Sequence, residues 1–170
     1  MTVADLRRRC SSIIRGLELP QPFTAEAVCQ NIAGLRGSPV YLKPLPRPTP
    51  PDTPTGMWLA TRRGDYIYYD AQTSGLHRLH IILHEVGHML SGHEEVDLED
   101  NQYMYRQLDV GDPTWIRQVL PRIRYNSREE QEAEMIATLL LQQAGRVSAP
   151  SPLAGLWARF ESALGFHRTA

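Results

Sequence analysis

Leu79 to His93 reads LHIILHEVGHMLSGH and holds four of the six histidines of the chain. Apolar residues recur through it at Leu79, Ile81, Ile82, Leu83, Val86, Met89 and Leu90, the pattern of a helix with a broad buried face. Ser74 or Thr73 is positioned to cap that helix, and Gly92 stands just past its expected end. His84 and His88 are four residues apart, so a helix stacks their imidazoles on one face. Two such rings can each offer a nitrogen to one zinc ion at ~2.0–2.1 Å. Glu85 points about 100° further round, close enough to reach a water beside the ion without competing for it. That is the division of labour in H-E-x-x-H metallopeptidases, in which zinc activates a water and the glutamate takes its proton. Gly87 weakens a helix by about 1 kcal/mol relative to alanine, so a close backbone approach by a neighbouring element is expected there.

The other histidines separate the alternatives. His77 and His80 fall on nearly the same stripe but belong to the first turns, where they are expected to face solvent or the rim of a site. The metzincin pattern requires a glycine at 91 and a histidine at 94. Ser91 and Glu94 stand there instead, with Gly92 and His93 one place out of register, so that pattern fails.

A third ligand is sought on the segment SREEQEAEMIATLLLQQAGR, Ser127 to Arg146, which reads as a second long helix. Its apolar stripe runs through Ala133, Ile136, Ala137, Leu140, Leu141 and Ala144. Glu130 and Glu134 lie at the edge of this stripe, while Glu132 is expected to face water. Glu130 is assigned as ligand and Glu134 as the acceptor that orients a ligand histidine. Glu134 is the main alternative ligand, with Glu132 behind it. A competing role for Glu130 is a capping box with Ser127.

The remainder of the chain supplies the frame. Residues 4–17 and the segment from Thr24 to Gly37 read as amphipathic helices, and Pro39 to Leu45 as a short strand. Six prolines from Pro44 to Pro54 exclude helix and central strand, which suggests a stiff loop bordering a site. Met57–Thr61 and Tyr66–Tyr69 form a plausible hairpin around Arg63-Gly64-Asp65, a tripeptide given no weight as an adhesion signal. Asp112-Pro113 opens a short helix to Leu120, and Pro152 to Leu164 closes the chain as a last helix. Helices, a few strands and helices again argue α+β architecture in a single domain spanning 1–170.

At 170 residues, 42% hydrophobic and 22% charged, the chain can bury a substantial core. A formal net charge of −1 disfavours direct nucleic-acid binding through a broad basic face. Cys10 and Cys29 are the only cysteines, lack C-x-x-C spacing and read as buried thiols. No signal-peptide-like or membrane-spanning run is recognised, so a cytoplasmic location is expected.

HEVGH at 84–88 and EQEAEMIA at 130–137 together resemble the ImmA/IrrE family of zinc metallo-endopeptidases, whose second motif is E-x-E-A-(N/D)-x-F-A. Gly56-Met57-Trp58 and the strand YIYYD look like the family's upstream strands, and the likeness covers about residues 20–146. Glu134 departs from the usual asparagine or aspartate, and Ile136 from the usual phenylalanine. The resemblance implies a zincin-like fold, with a small, mostly antiparallel sheet on the H-E-x-x-H helix and a second ligand-bearing helix. It implies one zinc per chain held by His84, His88 and Glu130, with Glu85 as general base. It further implies proteolysis of a separate helix-turn-helix regulator. A further oxyanion donor is expected among Tyr103, Tyr105, Tyr125 and His93. The rival readings are a non-proteolytic zinc-stabilised regulatory module and a toxin or defence component.

Overall fold

The computed structural model describes residues 1–45, 47, 54–61, 63–93 and 126–147. Helix α1 (Val3–Ile13) starts at a capping box in which the Thr2 side chain accepts from the Asp5 backbone and the Asp5 side chain accepts from Thr2. It ends earlier than its periodicity suggests, because the chain turns at Gly16 with φ 85°. Helix α2 (Ala25–Arg36) runs from an N-cap at Thr24 to a left-handed C-cap at Gly37. Strands β1 (Val40–Pro44), β2 (Gly56–Thr61) and β3 (Gly64–Tyr69) follow. Then come α3 (Gly75–Ser91), with Ser74 as its N-cap, and α4 (Ser127–Val147).

The three strands form one sheet in the order β1-β3-β2. The hairpin makes β2 and β3 antiparallel, with Trp58 opposite Ile67. β1 takes the other side of β3 and runs parallel to it, Leu42 opposite Ile67. The sheet is therefore mixed rather than mostly antiparallel. The tight turn at Arg63 dictates only the β2–β3 direction, and β1, distant from β2 in sequence, is not bound by it. The α+β class holds for the described residues.

Asp65 is buried within β3 and is no part of an exposed tripeptide. It accepts from Trp58 Nε1 at 2.9 Å and pairs with Arg36 Nε at 2.9 Å, which ties α2 to the sheet. The core gathers Trp58 and Ile67 of the sheet with Ile82, Leu83, Val86 and Met89 of α3. Ile136 and Leu140 of α4, Leu6 and Cys10 of α1, and Val28 and Ile32 of α2 complete it. Burial pushes the Cys10 thiol up to about 11 and the Cys29 thiol up to about 12, as expected of packed thiols. The expected helices at 112–120 and 152–164 and most of the proline-rich segment lie outside the described residues.

α3 lies between the sheet and α4, and it packs closely on α4. A methyl group built on Gly87 would sit 2.7 Å from the Ala133 carbonyl oxygen and 2.8 Å from its Cα. Both are backbone atoms, which cannot swing aside, so Gly87 is where the two helices touch. Gly87→Ala should therefore lower unfolding stability by about 1–2 kcal/mol despite alanine's better helix propensity. A shift in the urea midpoint checks this; unchanged or increased stability would show that the helices part at no cost.

Candidate metal centre

The close crossing at Gly87 sets His84 and His88 of α3 against the first turns of α4. His84 Nε2 lies 3.0 Å from His88 Nε2 and 3.2 Å from Glu130 Oε2. His88 Nε2 lies 3.9 Å from Glu130 Oε1. One donor atom from each of the three residues falls within 4.8 Å of the others, so this group could hold a metal ion. Two donors on a tetrahedral zinc are about 3.3 Å apart, close to the spacings found. Two imidazoles and a carboxylate also form a chemically fitting donor set for zinc.

Glu130 is free to serve here because another residue caps α4. Asn126 Oδ1 accepts from the backbone N–H groups of Arg128 and Glu129, and the Glu129 carboxylate accepts from Asn126 N at 2.8 Å. The capping box is thus Asn126-x-x-Glu129, one residue before the Ser127–Glu130 pair considered from sequence. The Glu130 side chain is 48% exposed at the mouth of a cleft.

The other two candidate carboxylates face elsewhere. Glu134 Oε2 lies 3.3 Å from His84 Nδ1, on the side of the ring away from His88, and His80 Nε2 lies 3.1 Å from the same carboxylate. Glu134 thus meets the Nδ1 side of His84 and lies outside the group that could hold a metal ion. His80 is buried against it and lines the cleft, so it faces the site, as one of the two expectations had it, and not solvent. The reason is that α4 covers this turn of α3. His77 does remain exposed at the cleft rim.

Glu132 was expected to face water and is instead 3% exposed. The helical wheel had assumed one buried face, but α1 packs on the opposite side of α4. Glu132 Oε1 pairs there with Arg9 Nε and Arg128 Nε, each at 3.2 Å, while Oε2 lies 3.4 Å from His93 Nε2. His93 in turn sits behind His88, its Nδ1 2.8 Å from His88 Nδ1. It is not among the residues that line the cleft. Tyr103, Tyr105 and Tyr125 lie outside the described residues. His80, His93 and Glu132 are the partners that sequence reasoning missed. Their signal was the clustering of histidines and glutamates itself, which carries no information on which faces are packed.

Glu85 is buried in the same cleft, a space of roughly 340 Å³ lined by Pro54, Thr55, Gly56, His77, His80, Ile81, His84, Glu85, Glu130 and Glu134. Its Oε2 has no hydrogen-bond partner among the described residues. Burial pushes its carboxyl up to about 7, moderated by His84 and by a hydrogen bond from the Trp58 backbone. Gly56 makes room for it: a methyl group there would lie 2.6 Å from Glu85 Oε1 and 2.6 Å from Ile81 Cγ2.

The two histidines of this group are shifted in opposite directions. Burial disfavours a charged His84, but hydrogen bonds to Glu130 and Glu134 outweigh it and hold the ring up at about 10. Burial, with His84 and His93 nearby, holds His88 down at about 2. The neighbouring carboxylates thus favour a proton on His84, among the donors where a metal would bind. No protein-family model, curated protein or solved structure matches this chain.

Metal and proton compete for this place, so metal affinity should rise with pH, up to the range where His84 loses its proton unaided. Zinc titrations at pH 7.5 in buffers of different ionisation enthalpy should show release of about one proton per ion. Heats independent of the buffer would contradict a protonated His84.

Proposed function

We propose that this chain is a zinc-dependent endopeptidase acting on a protein substrate in the cytoplasm. One observation carries the reading: a buried carboxylate, Glu85, has an unpaired oxygen in the same cleft as a His84–His88–Glu130 donor set. Burying a carboxylate without a full set of partners is costly, and a purely structural metal site has no use for one. A non-proteolytic module of the same fold therefore explains less.

His84, His88 and Glu130 would hold the ion. When bound, zinc supplies Lewis-acid polarisation of a carbonyl and lowers the pKa of water toward ~7. Glu85 accepts the proton of the attacking water and returns it to the leaving amine. Burial raises its carboxyl above the usual range, the direction that strengthens a carboxylate as a base. Glu134 holds His84 by its Nδ1 so that Nε2 faces the cleft. β2 is an edge of the sheet among the described residues, and Gly56 at its start lines the cleft. An extended substrate can add to that edge, with backbone pairing for affinity and side-chain pockets for selection. The resemblance to the ImmA/IrrE family makes a separate helix-turn-helix regulator the first substrate to try. Location in a reducing compartment accords with two free buried thiols.

Zinc content and cleavage of co-encoded regulators test this together. Glu85→Gln should retain zinc and lose cleavage by about 10²–10⁴-fold. Glu130→Ala should lose most of both. Full cleavage by Glu85→Gln rules out this mechanism, and full zinc in Glu130→Ala assigns the third ligand wrongly. Gly56→Ala should keep zinc but slow cleavage, because its methyl group displaces Glu85; wild-type rates would show that Glu85 has room to spare.

A further inference from the structure

We propose that His77 reads a side chain of the protein substrate at the outer end of the cleft, and that it selects a carboxamide, asparagine or glutamine. The inference rests on the peptidase reading above and adds a substrate preference to it. His77 stands two helical turns before His84 on the same stripe of α3, about 10 Å along the axis. An extended substrate advances about 3.3 Å per residue. His77 is therefore level with a residue about three places from the bond that lies at the metal. Ile81 lines the cleft between the two histidines.

Pro54 and Thr55 also line this cleft. Gly56 faces Tyr69 across the hairpin, and Asp70 N donates to the Thr55 carbonyl at 2.8 Å, so Thr55 turns that carbonyl toward β3. Outward main-chain groups on this side fall at Gly56 and, before it, at Pro54. Proline has no N–H to offer, so donation by the backbone ends at Gly56. Beyond that point recognition falls to side chains. His77 is exposed there, and its ring makes no hydrogen bond among the described residues. An imidazole carries at least one N–H whether charged or neutral, so it can donate to a substrate acceptor. Neighbouring carboxylates decide which acceptor fits. Asp70 is near enough for His77 to act on it, and it already engages Gln72 N and Arg47. Glu134, further in, meets His80 and His84. A substrate carboxylate would meet like charge here, and a lysine or arginine would find these acids already paired. A carboxamide accepts from His77 without bringing a charge of its own.

The test is digestion of a random-sequence peptide library by the zinc-loaded full chain, with the cut sites read by mass spectrometry. Wild type should enrich asparagine and glutamine about three residues to one side of the bond cut, and His77→Ala should lose that enrichment. The side chain is exposed, so alanine there should leave the fold intact. For a peptide with glutamine at that place, kcat/KM should fall about tenfold in His77→Ala, mainly through KM. The fall should be smaller when the peptide carries alanine there. His77→Gln, which keeps an N–H donor, should keep part of the preference. No enrichment at that place, enrichment of acids or bases instead, or enrichment that survives His77→Ala overturns the subsite and leaves the peptidase reading standing. A library left uncut by zinc-loaded wild type overturns the peptidase reading and the subsite with it.

Discussion

The contact between Gly87 and the backbone of Ala133 governs the geometry of the site. Helices separated by ordinary side chains lie about 8–10 Å apart. A glycine against a backbone lets the axes approach more closely, and Gly87 is next to His88 while Ala133 is next to Glu132 and Glu134. At that distance the short reach of an imidazole and of a glutamate suffices to bring donor atoms from both helices within 4.8 Å of each other. Wider spacing would leave α3 with two histidines and no third partner. The helix-weakening residue inside the H-E-x-x-H segment is thus what allows the segment to be completed.

Close approach has an electrostatic consequence. α4 carries Glu129, Glu130, Glu132 and Glu134 within six positions, a density that disfavours an isolated helix. Each is directed to its own set of hydrogen-bonding or ion-pairing partners, with His84 shared between Glu130 and Glu134. Glu129 accepts from the backbone at the helix start, where the helix dipole also favours a negative charge. Glu130 faces the Nε2 atoms of both histidines, Glu134 meets His80 and His84, and Glu132 meets two arginines and His93. Hydrogen bonds to His80 and His84 hold the Glu134 carboxyl down at about 2 although burial opposes them. Glu132 is likewise held below the usual range, against burial, by His93, Arg128 and Arg9. Repulsion along the helix is thereby replaced by attraction across its interfaces.

How much of this is legible in the sequence follows from which forces are local. Helix periodicity and capping residues act over a few positions, and α2, α3 and α4 lie where those patterns place them. The pairing of His84 with His88 is equally local, since one helix supplies both. The expectation of a close approach at Gly87 also came from a local cost that needed a tertiary explanation. Glu132 and His80 escaped because their burial depends on α1 and α4 covering surfaces that the wheel of a single helix leaves open. The direction of β1 escaped for the same reason, as strand pairing is decided by partners far away in the chain.

The exposure of the carboxylates follows their chemistry. Glu132 and Glu134 are almost enclosed; Glu132 is held through both oxygens, and Glu134 through Oε2 by His80 and His84. Glu130, the carboxylate of the group that could hold an ion, is half exposed. A group that orients a neighbouring ring works best when fixed, because any freedom it keeps passes to the ring. A carboxylate that must change partner, from a protonated His84 without metal to an ion with it, needs room to turn and water to cover its charge while it does so. Enclosed support behind the histidines and an exposed acid in front of them are what a centre needs if it is to exchange a proton for a metal without rearranging the helices that carry it.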